Sequence, residues 1–271
     1  MYSKNKLRQD VWRNESYYLA ARKGSLDIDH PGMRILKRLS QKASSILDLG
    51  CGEGSRLNYL FSKNRKIVGI DISDTAIELA KKVYPKIKFI KADLERVPLK
   101  EKSFDLVYSA YVLEHLSKPS KVLSEAIRLT SDKGFLVLIG PNYGAPNRAS
   151  PPFKGSRVIK FLFGLKNDLA ILFGIKMKDD LGWRRVEPIA SKDKYDIDWD
   201  TTIEPYIGSL IQFLKARQMT IEEFTSCWSE ELKKAKIHQI VLRFLGNLGI
   251  YPFTLWGPHL VIVTQKNKDE N

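Results

Sequence analysis

Cysteine is almost missing from this chain, with two residues, Cys51 and Cys227, among 271. Two thiols cannot build a disulfide framework, and neither has a metal-ligating neighbour at useful spacing. A reducing, cytoplasmic setting fits, and no metal is expected. No apolar run reaches the roughly 18 residues that a membrane-spanning helix needs. The opening MYSKNKLRQDVWRNESYY has no apolar core of signal-peptide type. Internal repeats and low-complexity tracts are also missing.

The length allows one large α/β domain with an inserted cap, or two small domains. A hydrophobic fraction of 43% and a charged fraction of 28% suit a folded chain and exclude a disordered one. Lys and Arg number 45 against 31 Asp and Glu, a formal charge of +14. That excess attracts anions such as nucleic acid, acidic lipid or a phosphorylated ligand, or is only a solvated basic surface. The basic residues form no strip interleaved with aromatics, so no nucleic-acid partner is expected.

Residues 1–44 read as a basic, helical N-terminal cap broken at His30-Pro31-Gly32. From residue 45 short apolar strands alternate with amphipathic helices: SSILDLG, KIVGIDI, KFIKAD, FDLVYSA and GFLVLIG as strands, Arg56 to Ser62 and TAIELAKKVY as helices. Ser73 or Asp74 can cap the second of these helices. Such alternation predicts a parallel sheet built from right-handed crossovers. Residues 142–205 break the rhythm and read as an inserted lid. Core elements resume over 206–266, with a second helical insertion at about 228–257 and HLVIVTQK as the closing strand.

The richest local signal is Asp48-Leu49-Gly50-Cys51-Gly52-Glu53-Gly54, between a strand and a helix. Glycines there permit a sharp turn and close approach of a ligand to the backbone. Asp71 ends the next strand, 21 residues after Gly50, where an acid can accept ribose hydroxyls. Asp93 ends the third strand. The dinucleotide fingerprint G-x-G-x-x-G is not met, because Ser55 stands at its third position. A carboxylate at the loop entrance is a poor cradle for pyrophosphate and a better one for a cationic, phosphate-free nucleoside.

ILDLGCGEG, VGIDIS, KADLERVPLKEKSFDLVYSAYVLEHL and GFLVLIGPN together resemble the successive motifs of class I, Rossmann-like S-adenosylmethionine-dependent methyltransferases. The resemblance covers about residues 44–141 and, more loosely, GPHLVIVTQK. It implies a three-layer α/β sandwich around a seven-stranded, mostly parallel sheet of order 3-2-1-4-5-7-6 with the last strand antiparallel. It implies S-adenosyl-L-methionine as cofactor. Gly50, Gly52 and Gly54 would lie under its methionine part and ribose, and Asp48 would orient the loop near the amino group. Asp71, followed by Ile72, would bind the ribose. Asp93 and Leu94 would bind the adenine, with Ser109 and Ala110 close to the methionine portion. Cys51, in the cofactor loop, reads as packing and not as a nucleophile.

Methyl transfer from a sulfonium is an in-line displacement, so the protein mainly positions the acceptor and excludes water. A base is needed only where the acceptor loses a proton. His115 is the candidate base, or alternatively a residue that shapes the pocket. Asn142 and Tyr143 are candidates to touch substrate, or parts of a turn. His30 and His238 carry no nearby constellation, and His259 reads as structural. RVIKFLFGLKNDLAILFGIKMK, residues 157–178, is apolar and basic. It suits a buried lid helix, or peripheral contact with an anionic membrane. The acidic run Asp193, Asp196, Asp198, Asp200 and Glu204 suits sugar hydroxyls, an amine or solvent. The expected activity is methyl transfer to a hydroxyl, amine or carboxylate of a small-molecule, lipid or glycan-pathway acceptor. The alternatives are a silent cofactor-binding regulator, a methyltransferase acting on RNA or protein, and a nicotinamide-dependent dehydrogenase.

Overall fold

The computed structural model describes residues 12–25, 27–63, 65–173, 181–189, 198–230 and 237–268. In chain order, helices α1 (Glu15–Ser25) and α2 (Pro31–Ser40) precede β1 (Ser45–Leu49), α3 (Ser55–Tyr59), β2 (Lys66–Asp71), α4 (Asp74–Val83), β3 (Lys88–Lys91) and β4 (Phe104–Ala110). A 3₁₀ turn, Leu113–His115, then leads to α5 (Pro119–Leu129) and β5 (Thr130–Pro141). Next come α6 (Arg157–Leu172), the two-residue strands β6 (Arg184–Arg185) and β7 (Ile203–Glu204), and α7 (Ile207–Lys215). β8 (Met219–Thr225), α8 (Ile237–Asn247) and β9 (His259–Lys266) complete the described elements.

The main sheet has seven strands in the order β3-β2-β1-β4-β5-β9-β8. Since β6 and β7 form a separate small ribbon, this is the expected 3-2-1-4-5-7-6 arrangement. β1 to β5 pair in parallel, and β9 runs antiparallel to both of its neighbours. Alternation along each strand sends side chains to opposite faces. Leu47, Leu49, Val107, Leu136 and Leu138 face a core shared with α5 and α7. Ile46, Leu106, Tyr108, Val137 and Ile139 face a second core with α2 and α4. Two apolar faces, each covered by helices, produce the three-layer sandwich.

Helix ends follow local chemistry. Ser73 caps α4, its Oγ accepting from Ala76 N at 3.2 Å, and Lys81 and Lys82 sit at the negative end of the helix dipole. Pro119 starts α5, where its missing N–H costs nothing. His30 caps α2 by accepting from Gly32 N at 3.1 Å. The helix expected over 56–62 is shorter, ending at Tyr59. β5 begins at Thr130, immediately after α5, and not at Gly134.

The insertion is pinned by buried charge. Glu204 is fully buried and accepts from Ser150 N at 2.8 Å and from Lys160 Nζ at 2.6 Å. Asp168 of α6 accepts from Tyr206 Oη at 2.6 Å and from Trp256 Nε1 at 2.7 Å. Thus the end of the acidic run, Asp200 and Glu204, is buried, not solvated. Asp193, Tyr195 and Asp196, and residues 174–178 of the apolar basic stretch, lie outside the described residues.

Candidate active site

The carboxyl ends of the parallel strands open on a crevice of about 2080 Å³, the usual ligand position in open α/β sheets. Gly50, Cys51 and Gly52 line it. Gly52 has φ +52, and a Cβ there would meet nothing within 4 Å, so the backbone faces open space. Its N–H donates to Asp71 Oδ2 at 2.9 Å, while Ser73 N–H donates to Asp71 Oδ1 at 2.9 Å. Asp71 is therefore fixed by the glycine loop and the start of α4, and a carboxylate so held keeps accepting capacity for a ligand. Burial raises its carboxyl above the ordinary range. Asp93, Leu94 and the half-exposed Ile72 line the neighbouring wall.

The turn after β4 supplies the opposite side. His115 is held between carboxylates: its Nδ1 lies 3.4 Å from Asp200 Oδ2 without hydrogen-bond alignment, and its Nε2 lies 3.8 Å from Glu114 Oε1. Burial works to lower the imidazole pKa, but Asp200, Glu114 and Asp198 outweigh it and hold it above its ordinary value. The Asp200 carboxylate also accepts from Tyr17 Oη at 3.1 Å and from Trp12 Nε1 at 3.4 Å. The Trp12 ring meets the His115 ring edge-on at 6.1 Å. A third group stands at the end of β9, where His30 Nε2 and His259 Nδ1 are 2.9 Å apart and Tyr111 Oη is 3.4 Å from His30 Nε2. Burial lowers the His259 pKa to about 4. Tyr111 holds φ +60, an uncommon conformation for a bulky residue.

Comparison with known proteins finds relatives of the segment that forms this crevice. The family model described as "Methyltransferase domain" matches residues 47–138. A Mycobacterium tuberculosis protein named "Probable S-adenosylmethionine-dependent methyltransferase" is 29% identical over 134 residues, 46% of this chain and 49% of that one. Over this stretch the chain is similar to S-adenosylmethionine-dependent methyltransferases. A Campylobacter jejuni "Ubiquinone/menaquinone biosynthesis C-methyltransferase" is 29% identical over 113 residues, 39% of this chain and 48% of that one. The chain spans about half the length of these curated relatives. Among solved structures, an S-adenosylmethionine-dependent methyltransferase from Mesorhizobium loti superposes with TM-score 0.53 at 18% identity, covering 88% of this chain and all of that one. The [4+2]-cyclase SpnF superposes with TM-score 0.51 at 13% identity, covering 86% and 80%. These likenesses show the fold alone.

The crevice fits S-adenosylmethionine on its own geometry. The open face at Gly52 leaves room that a side chain would fill, and the Asp71 carboxyl lines the crevice beside it. Several expected positions fall elsewhere. Asp48 is fully buried beneath the loop and does not line the crevice. Its Oδ2 accepts from Tyr108 Oη at 2.7 Å, Oδ1 has no partner, and burial raises its carboxyl to about 7. Only Asp71 and Asp93 of the three acids therefore reach the crevice. Gly54 packs against Phe89, not toward the crevice. Ser109 donates to Leu49 O at 2.8 Å behind the wall, while Ala110 lines it. Burial pushes the Cys51 thiol well up, which suits packing.

On the acceptor side, Asn142 does not face substrate. Its amide is buried and spent on Leu255 O (2.7 Å), Gly257 O (2.9 Å) and Ile207 N (3.0 Å), tying β5 to α7. Tyr143 does not line the crevice, but its hydroxyl donates to Asp198, which does. Trp12 and Tyr17 as partners of Asp200, and the pairing of His30 with His259, were missed from sequence, whereas Asp200 was read there only as part of an acidic run and Glu114 only as the neighbour of His115. Their contacts join segments up to 229 residues apart, and no local pattern carries such information.

Proposed function

We propose that the chain transfers a methyl group to a hydroxyl of a small-molecule acceptor. The observation that carries this reading is the placing of His115, backed by Asp200, in the crevice that also holds Gly52 and Asp71. Gly50, Cys51, Gly52, Asp71, Asp93 and Leu94 would hold S-adenosylmethionine, which supplies a sulfonium-bound methyl open to in-line displacement. Placing the imidazole proton on Nδ1, toward Asp200, leaves Nε2 bare. Nε2 then takes the hydroxyl proton as the acceptor oxygen forms its bond to carbon. Asp200, Glu114 and Asp198 stabilise the imidazolium that results. Trp12 and Tyr17, by bonding Asp200, set its direction and cover the site from water.

The test supplies methyl-labelled cofactor to a cell extract with the purified protein. Labelled product is expected, and His115→Ala should cut turnover by roughly 100-fold or more while S-adenosylhomocysteine affinity holds. A normal rate in that variant removes His115 from the chemistry.

The same reading extends to where the acceptor is met. α6 exposes Val158, Ile159, Leu162, Phe163 and Leu172, and its only acid, Asp168, is buried. Exposed Lys154, Arg157 and Lys166 flank this face. α8 adds exposed Ile240, Val241 and Phe244 and has no acid. Its Gln239 bonds Asn147, and Tyr251, just beyond its end, donates to the Asp168 carbonyl of α6. An apolar, basic face without carboxylates suits peripheral docking on anionic lipid. Co-sedimentation with phosphatidylglycerol vesicles but not phosphatidylcholine vesicles is expected, with loss on Phe163→Glu. Equal recovery with both vesicle types would discard the docking.

A further inference from the structure

Glu114 sits in the 3₁₀ turn after β4, lines the crevice and is fully buried. Among the described residues it is the only carboxylate with both oxygens buried and without a hydrogen-bond partner. Buried polar groups are nearly always satisfied, and a carboxyl in a crevice without partners is set up to receive them.

Several donors of this region are committed elsewhere, and the buried Thr201 Oγ1, although without a partner, does not bond Glu114. Tyr143 Oη donates to Asp198, and Tyr17 and Trp12 donate to Asp200. Thr202 N and Oγ1 bond the carbonyl of Glu114, at 2.9 and 3.2 Å, and not its carboxyl. His115 Nε2 is 3.8 Å away and is the group that needs its lone pair for chemistry. Behind Glu114, Gly140 presents no side chain, and a Cβ there would lie 3.6 Å from Oε2. Glu114 lines the crevice, so a ligand there that brings hydrogen-bond donors would satisfy it.

We propose that Glu114 anchors a protonated amine of the acceptor, next to the hydroxyl served by His115, so that the acceptor is an amino alcohol. This rests on the methyl-transfer reading above. A neutral hydroxyl brings one donor to two orphaned oxygens, whereas an ammonium brings three together with the opposite charge. Arg13, Lys118 and Arg185 also line the crevice, but the groups set around His115 itself are the carboxyls of Glu114, Asp198 and Asp200, which favour a cation at that point. Trp12 and Trp199 also line the crevice, and aromatic rings attract a cation. Held among carboxylates, the nitrogen keeps its proton and has no lone pair to attack with. The oxygen therefore takes the methyl, and its proton passes to His115.

The test starts without turnover. Protein saturated with S-adenosylhomocysteine is titrated by calorimetry with ethanolamine and, separately, ethylene glycol, at constant ionic strength. Ethanolamine is expected to bind at least ~10-fold more tightly, and the isosteric Glu114→Gln should erase the preference. Asp198→Asn, which leaves the anchor in place, should weaken it less. Equal affinity for the two probes, no ethanolamine binding, or binding unchanged in Glu114→Gln would overturn the proposal. In a second arm, labelled product from the extract is passed over a cation exchanger at neutral pH. Retention is expected. Labelled product that runs through refutes the amino-alcohol assignment and leaves methyl transfer standing. Ethanolamine binding through Glu114 with no labelled product supports the anchor and removes the methyl-transfer reading instead.

Discussion

Gly52 and Gly54 are two residues apart and do different work. Gly52 turns its bare face to the crevice, and Gly54, at φ +84, has the Phe89 ring 2.7 Å from where a Cβ would stand. Gly52→Ala should therefore leave the melting temperature nearly unchanged, within about 1 kcal/mol of strain, yet weaken S-adenosylhomocysteine binding in calorimetry. Gly54→Ala should do the reverse, destabilising by about 2 kcal/mol through strain and overpacking. Asp71→Ala should weaken the same ligand by about 1–3 kcal/mol, and an unchanged dissociation constant would refute the pocket assignment. Buried acids also set a pH dependence. Burial raises Glu114 and Asp48 to about 7 and Asp168 to about 6. Their folded pKa values exceed those of the unfolded chain, so the folded state holds more protons in between. That stability is present in full below the unfolded values near 4 and is lost as pH rises through 6 to 7. Denaturant midpoints should fall over that interval, and Glu114→Gln should flatten the fall.

Elements of the insertion are held by charge taken out of water. Lys160 of α6 and Glu204 of β7 are paired at 2.6 Å with almost no exposure, and Lys160 also donates to Tyr143 O at 2.6 Å. Burial lowers the Lys160 pKa to about 8 even with Glu204 beside it. Removing one partner leaves the other buried and alone, so Glu204→Ala should cost about 3–5 kcal/mol in equilibrium unfolding. A loss under 1 kcal/mol would mean that the lobe is not fixed by this pair. The turn after β4 is positioned by the same insertion, because Thr202 bonds the Glu114 carbonyl. Loosening β7 should therefore also raise the KM for the acceptor before it touches cofactor affinity.

Across the whole molecule, a formal charge of +14 coexists with a crevice whose described lining holds eight Asp or Glu and five Lys or Arg. The basic excess lies outward, so vesicle binding should weaken steeply as salt shrinks the Debye length from about 30 Å at 0.01 M to about 3 Å at 1 M. Cofactor affinity, set at short range and partly buried, should change little over the same range. What was legible in the sequence was whatever neighbours along the chain determine. The alternation of strands and helices, the sheet order carried by the family motifs, and the acids at the ends of β2 and β3 all follow from local patterns. The sequence alone also suggested His115. Tertiary structure decided that Asp48 lies under the loop, that Asn142 is a brace between elements, and that Trp12, Tyr17 and Asp200 close on His115. It also left Glu114 unpartnered and His30 against His259. The physical reason is separation: backbone periodicity is written over a few residues, whereas the pairing of buried polar groups depends on which distant segments the packed sheet brings to one rim.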